Sequence, residues 1–256
     1  MLQAHSPLWH YFWVAPNILF LILGVLLWRR GLAKQFPAFF AFAILSSLSQ
    51  LAVYVADVTP TVTPETFWRV DWANLLIAGV LKFAVIGEIF AHLLGSYSSL
   101  ARLGKFLIRT VGAVMVLAAT LIAAYAPKDG LFGIVSGAHL LEQTIYLIEC
   151  GLFAFIFGLA YYFRLTFGRP VFGIALGLSI SACLHLAVWA VIANGGLPNQ
   201  TRYSLDFVGM ATYHVCVLIW YYYLLVPQKA IVRAAIPLPE NNLDIWNREL
   251  ERLVHP

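Results

Sequence analysis

The sequence predicts an all-α integral membrane protein: one bundle of seven transmembrane helices, with the N-terminus outside and the C-terminus in the cytoplasm. Three observations predict it. Hydrophobic residues make up 61% of the 256-residue chain and charged residues 11%, against about 45–50% and about 25% in soluble domains. The apolar residues fall into seven long runs. Lys and Arg collect in alternate loops between those runs.

A soluble domain of this size needs charge to cover its surface, and a mean hydropathy of +0.82 leaves too little. The net charge of +4 resides mainly in short loops. Membrane topology accounts for that placement, and nucleic acid is not an expected partner.

A helix crossing about 30 Å of hydrocarbon needs about 20 residues. The qualifying runs are Phe12–Trp28, Phe36–Val55, Trp72–Leu94, Phe106–Ala126, Leu140–Phe163, Val171–Ala193 and Leu205–Val226. Lipid cannot satisfy backbone N–H and C=O groups, so continuous apolar runs read as helices. A membrane barrel would give shorter, alternating segments. Met1–Pro7 carries no basic residue, and the first run ends in Trp28-Arg29-Arg30 without a small-residue cleavage site. It reads as a retained helix rather than a signal peptide.

Orientation follows from the basic residues. With the loop after the first span placed inside, twelve Lys and Arg lie on the cytoplasmic side: Arg29, Arg30, Lys34, Arg102, Lys105, Arg109, Arg164, Arg169, Lys229, Arg233, Arg248 and Arg252. Only Arg69, Lys128 and Arg202 lie outside, and Lys82 falls within the third span. Trp9, Tyr11, Trp13, Trp68 and Trp72 mark outer edges, and Trp28 and Trp220–Tyr223 mark inner ones, as headgroup-zone aromatics do. Val58–Glu65 and Asn194–Asn199 read as outer turns. Asn199-Gln200-Thr201 matches a glycosylation acceptor. No motif of the first three spans recurs in the last three, which weighs against an inverted-repeat transporter.

Residues 1–226 thus form the membrane domain and 227–256 a cytoplasmic tail. After Pro237 and Pro239, Asn242 is placed to cap a helix with Leu243, Trp246, Leu250 and Leu253 on one stripe. Segment 242–254 is therefore a candidate contact for the membrane surface, a cytoplasmic partner or the protein's own loops. Cys150, Cys183 and Cys216 sit inside apolar runs without CxxC spacing and read as small core residues.

Ionisable groups inside membrane helices cost about 2.5–3.5 kcal/mol each near the centre, so they mark sites. In the third span, Asp71, Asn74, Lys82, Glu88 and His92 fall within about 120° of one another. In the fifth, His139, Glu142, Gln143, Tyr146 and Glu149 do the same. The second carries Ser46, Gln50, Tyr54 and Asp57 at helical spacing. The sixth carries Ser181 and His185, and the seventh Asp206, Tyr213 and His214. At 1.5 Å per residue, Lys82 lies about 15 Å from the outer end of its span, near Glu149 in depth. A Lys82–Glu149 ion pair is expected at the midplane, with His185 and His214 beside it. Asp206, Glu142, His139 and Tyr146 form the ligand- or proton-binding layer above, and Glu88 and His92 an inner pair. One ammonium against several carboxylates favours a proton- or cation-responsive site.

The membrane zinc hydrolases of the ceramidase and adiponectin-receptor type carry an HxxxH pair on the last helix. Here the seventh span has His214 alone, with Glu88-Ile-Phe-Ala-His92 on the third. Microbial rhodopsins place a retinal Lys on helix seven, where this chain has none before Lys229. In helix count and orientation the layout resembles the seven-helix input regions of bacterial sensor proteins, with no shared motif. The expectation is a receptor- or sensor-like protein of the cell membrane, plasma or inner, that binds a small ligand, cation or proton and couples to a cytoplasmic partner. The alternatives are a transporter or proton pathway, and a membrane enzyme or metal protein. No cofactor is expected, zinc and a haem held by His185 and His214 being the alternatives.

Overall fold

A computed structural model describes residues 5–94, 131–193 and 199–226, together with Phe106, Thr110, Ala113, Leu117 and Glu251 as single positions. Among the described residues there are seven helices and no strand: α1 (Pro7–Arg29), α2 (Leu32–Gln35), α3 (Pro37–Val58), α4 (Pro64–Leu94), α5 (Leu131–Tyr162), α6 (Arg169–Ala193) and α7 (Asn199–Leu225). All but α2 are long and apolar enough to cross a membrane, six in number. They match six of the predicted spans. The predicted fourth span lies outside the described residues, apart from four positions that are helical. The tail helix at 242–254, apart from Glu251, and the turn after Ala193 lie outside them too.

The helices outrun the apolar runs that predicted them. α4 has 31 residues and α5 has 32, where about 20 suffice to cross hydrocarbon. Their extra turns at the end where α1 begins carry Glu65, Arg69 and Asp71 on α4 and His139 on α5, which suits the wetter zone at a helix end. Local signals set the starts. Ser6 caps α1 by accepting the N–H of Trp9 at 3.3 Å, with Pro7 in the first turn. Gly31, at φ +73°, makes the left-handed turn that separates α1 from α2. Pro37 then opens α3.

The six long helices pack in a closed ring: α1 touches α3, α3 touches α4, α4 touches α5, α5 touches α6, α6 touches α7, and α7 returns to α1. Most neighbours are antiparallel, but two pairs are parallel. Along α4 and α5, Trp68 meets His139, Gly79 meets Ile145, Lys82 meets Glu149 and Phe90 meets Phe155. Along α1 and α7, Phe12 meets Phe207, Phe20 meets Trp220, and Arg30 reaches Leu225. The chain therefore leaves α4 at one end of the bundle and enters α5 at the other.

The surface is turned inside out relative to a soluble protein. Ile18, Ile22, Leu48, Val80, Leu147 and Val215 are exposed, while Asn17, Ser46, Ser47, Asn74, Glu149, Ser181 and Thr212 are buried. Water would not tolerate that apolar belt; hydrocarbon requires it, because it cannot solvate the polar set. The chain is a multi-pass membrane protein.

Candidate functional site

The ring encloses a cavity of about 490 Å³, within the usual range for small-molecule sites. It begins where α1 begins, between Trp9, Trp13, His139, Trp189 and Asp206, and descends past Asn74, Glu142 and His185 to Lys82, Tyr146 and Tyr213. Trp220 closes it below. That indole is 1% exposed, stacks on Phe20 at 4.8 Å, meets Phe39 edge-on at 5.4 Å, and lies 3.4 Å from the Ile174 carbonyl that it donates to. Phe20, Phe39 and Phe42 are likewise buried, so a packed aromatic plug lies beneath the cavity.

Lys82 and Glu149 meet at the cavity's side. The ammonium lies 3.3 Å from each carboxylate oxygen, one contact a hydrogen bond and the other a bare ion pair. Glu149 is 1% exposed and lies behind the lysine, outside the cavity wall. Lys82 also lies 4.5 Å from the centre of the Tyr146 ring, a cation–π distance. Tyr146 stacks in turn on His185 at 4.8 Å and donates its hydroxyl to Glu142 at 3.3 Å. Glu142 accepts a second bond from the Trp189 side chain. His139 packs between Trp189 and Trp68. His185 Nδ1 is 2.8 Å from the Ser181 carbonyl, which only accepts, so this nitrogen carries the proton. Its Nε2 lone pair is left on the Gly209 side, toward the cavity.

The structure thus gathers Lys82, Glu142, His139, Tyr146, His185 and Asp206 around one space, with Glu149 behind. It separates three other residues from it. His214 packs against the rings of Tyr11 and Phe12 on α1 and does not line the cavity. His185 stacks on Tyr146 of the neighbouring α5, so the two imidazoles pack against different helices. Glu88 and His92 do not pair through their side chains. The Glu88 carboxylate accepts the N–H groups of Ala38 and Phe39, at 3.0 and 3.1 Å, and caps α3 from outside. His92 bonds the Glu88 backbone carbonyl at 2.9 Å and stacks on Phe36. Among the described residues no three His, Cys, Asp or Glu side chains gather as a metal-binding group.

Sequence reasoning assigned several wall residues elsewhere. Trp9, Trp13 and Trp220 were expected as headgroup anchors; Trp9 and Trp13 line the cavity's upper wall and Trp220 its floor. The signal for Trp220 is present in the sequence: Asp206, Tyr213 and Trp220 recur every seven residues on one face of α7. Asn17, which receives the Tyr213 hydroxyl at 3.4 Å, sits in an otherwise apolar stretch and gave no stripe to read. The thiols of Cys150 and Cys183 lie 3.6 Å apart across α5 and α6.

Comparison of the chain with protein-family models, with curated proteins and with solved structures finds no match.

Proposed function

We propose that the chain is a receptor- or sensor-like membrane protein that takes a small ligand into this cavity from the outer face and passes the change to the cytoplasmic face through α7. The observation that carries the reading is the blind shape of the cavity: polar and aromatic walls in one half, and a buried plug of Phe20, Phe39, Phe42 and Trp220 in the other. A site that stops at midplane suits binding better than conduction.

α7 is the natural output. It supplies Asp206, Tyr213 and Trp220 to the cavity. Its far end is held by Arg30, which donates to the Leu225 carbonyl at 2.7 Å, and by Arg169, which donates to Val226 at 3.0 Å and Tyr222 at 3.3 Å. A ligand that shifts Tyr213 or Trp220 pulls on these carbonyls, and segment 242–254 of the tail is the proposed contact for a cytoplasmic partner.

Seven crossings belong to the same reading. The parallel run of α4 and α5 supports a return of the chain across the bundle between them, a crossing beyond the six long helices. Arg29, Arg30, Lys34, Arg164 and Arg169 then share one end of the bundle, and Arg69 and Arg202 the other. This supports an N-terminus outside and a C-terminus in the cytoplasm.

The test is accessibility. In a background without native cysteines, Ala78→Cys and Met210→Cys line the cavity. A small membrane-impermeant thiol reagent is expected to label them from the outer face and not from the inner one. Labelling from neither face removes the open pocket. Equal labelling from both supports the second reading, a proton or cation pathway, which the line of polar groups on α4 from Asp71 to His92 favours. Ion flux in proteoliposomes then decides it.

A further inference from the structure

The cavity's chemistry narrows its ligand, and this inference rests on the receptor reading above. Three carboxylates lie close enough to act on Tyr146, those of Asp71, Glu142 and Glu149. Only one ammonium lies among them, and Lys82 is already held by Glu149, 3.3 Å from both oxygens. Asp71 is bonded to Asn74, away from the cavity wall. Asp206, exposed at the mouth, feels Arg202 one turn before it. Glu142 remains as the wall carboxylate with no cation bonded to it: it feels the Lys82 charge, but its bonds come from a phenol and an indole. The neutral groups around it tilt the same way, since His185 turns an acceptor nitrogen toward the space. The upper walls are the rings of Trp9, Trp13 and Trp189, whose faces attract cations.

An anion would meet the Glu142 carboxylate, and the one ammonium on the wall, Lys82, is already engaged by Glu149. A calcium or magnesium ion would want six or more oxygens closely set, and among the described residues no three His, Cys, Asp or Glu gather to hold any metal. We infer that the cavity binds a protonated organic amine with an apolar body, its ammonium on Glu142 and its body against the tryptophan walls.

The experiment is a titration of the purified full chain in mild detergent with three probes of matched body, read by calorimetry. The probes are 2-phenylethylamine, the neutral 2-phenylethanol and the anionic 3-phenylpropionate. The amine is expected to bind at least tenfold more tightly than either of the others. Glu142→Gln is expected to weaken the amine at least tenfold and to leave the alcohol unchanged. If Glu142→Gln does not fold, Asp206→Asn at the exposed mouth supplies the second variant, with a smaller loss expected for the amine alone. Equal binding of the three, preference for the acid, or no saturable amine binding overturns the inference. The thiol-labelling result separates the two failures: a labelled cavity with no preference for the amine leaves the pocket and removes the ligand class, whereas an unlabelled one removes both.

Discussion

Lys82 and Glu149 show how much a single residue decides in a medium that solvates no charge. Each is tolerable only because the other lies 3.3 Å away. Truncating either leaves a buried charge alone, which costs about 3–5 kcal/mol. Lys82→Ala and Glu149→Ala are therefore each expected to lower thermal stability in detergent by that amount. The double replacement Lys82→Met with Glu149→Leu removes both charges and keeps volume, so it is expected to recover most of the loss. A double variant as unstable as the sum of the singles would show that the two side chains are not coupled. The structure brings Lys82 and Glu149 together but leaves His214 off the cavity wall where the sequence expected it, and the reason is specific. A helical wheel orders residues around one axis; it does not say which arc faces which neighbour. His214 sits about 80° from Asp206 by count, and that rotation is enough to turn it to Tyr11 and Phe12.

At the level of the element, α3 cannot cap itself. Its N-cap position is Phe36, with no side-chain oxygen to offer, and Pro37 follows. Glu88 of α4 supplies both missing acceptor contacts and places its negative charge at the positive end of the α3 dipole. Glu88→Ala is expected to cost about 1–2 kcal/mol in thermal unfolding, the range of a lost N-cap. Glu88→Gln keeps an acceptor and is expected to lose less. Equal stability of Glu88→Ala and wild type would remove the capping role and return Glu88 to the list of relay candidates. The α6–α7 contact depends on small residues in a similar way. A Cβ on Gly177 would run into the Trp220 indole, and one on Gly173 into Tyr223. Gly177→Ala is expected to destabilise by about 1–3 kcal/mol through overpacking. Gly158→Ala, with open space around it, is expected to be neutral or slightly stabilising. If both behave alike, close α6–α7 packing is not what Gly177 provides.

For the whole molecule, the informative feature is that the neighbours α4 and α5 run parallel. The turn between α3 and α4 and the turn between α5 and α6 lie at opposite ends of the bundle. Thr61→Cys and Gly168→Cys, in a background without native cysteines, are accordingly expected to react with an impermeant reagent from opposite faces of the membrane. Reaction from the same face would mean an even number of crossings between them, which contradicts the order of contacts along α4 and α5.

The sequence by itself determined the solvent and the elements. Composition identified lipid, run length gave the six described spans, and the 3.6-residue period put most of the polar groups of a helix on one arc, because all three are local properties of the chain. Only the tertiary structure decided which arcs meet. Glu149 lies 67 residues from Lys82, the capping acceptor for α3 comes from 50 residues away, and Trp220 closes a cavity lined by five other helices. Neighbour order and the rotation of each helix about its axis are settled by the summed packing of the ring, and no local stretch of sequence carries that sum.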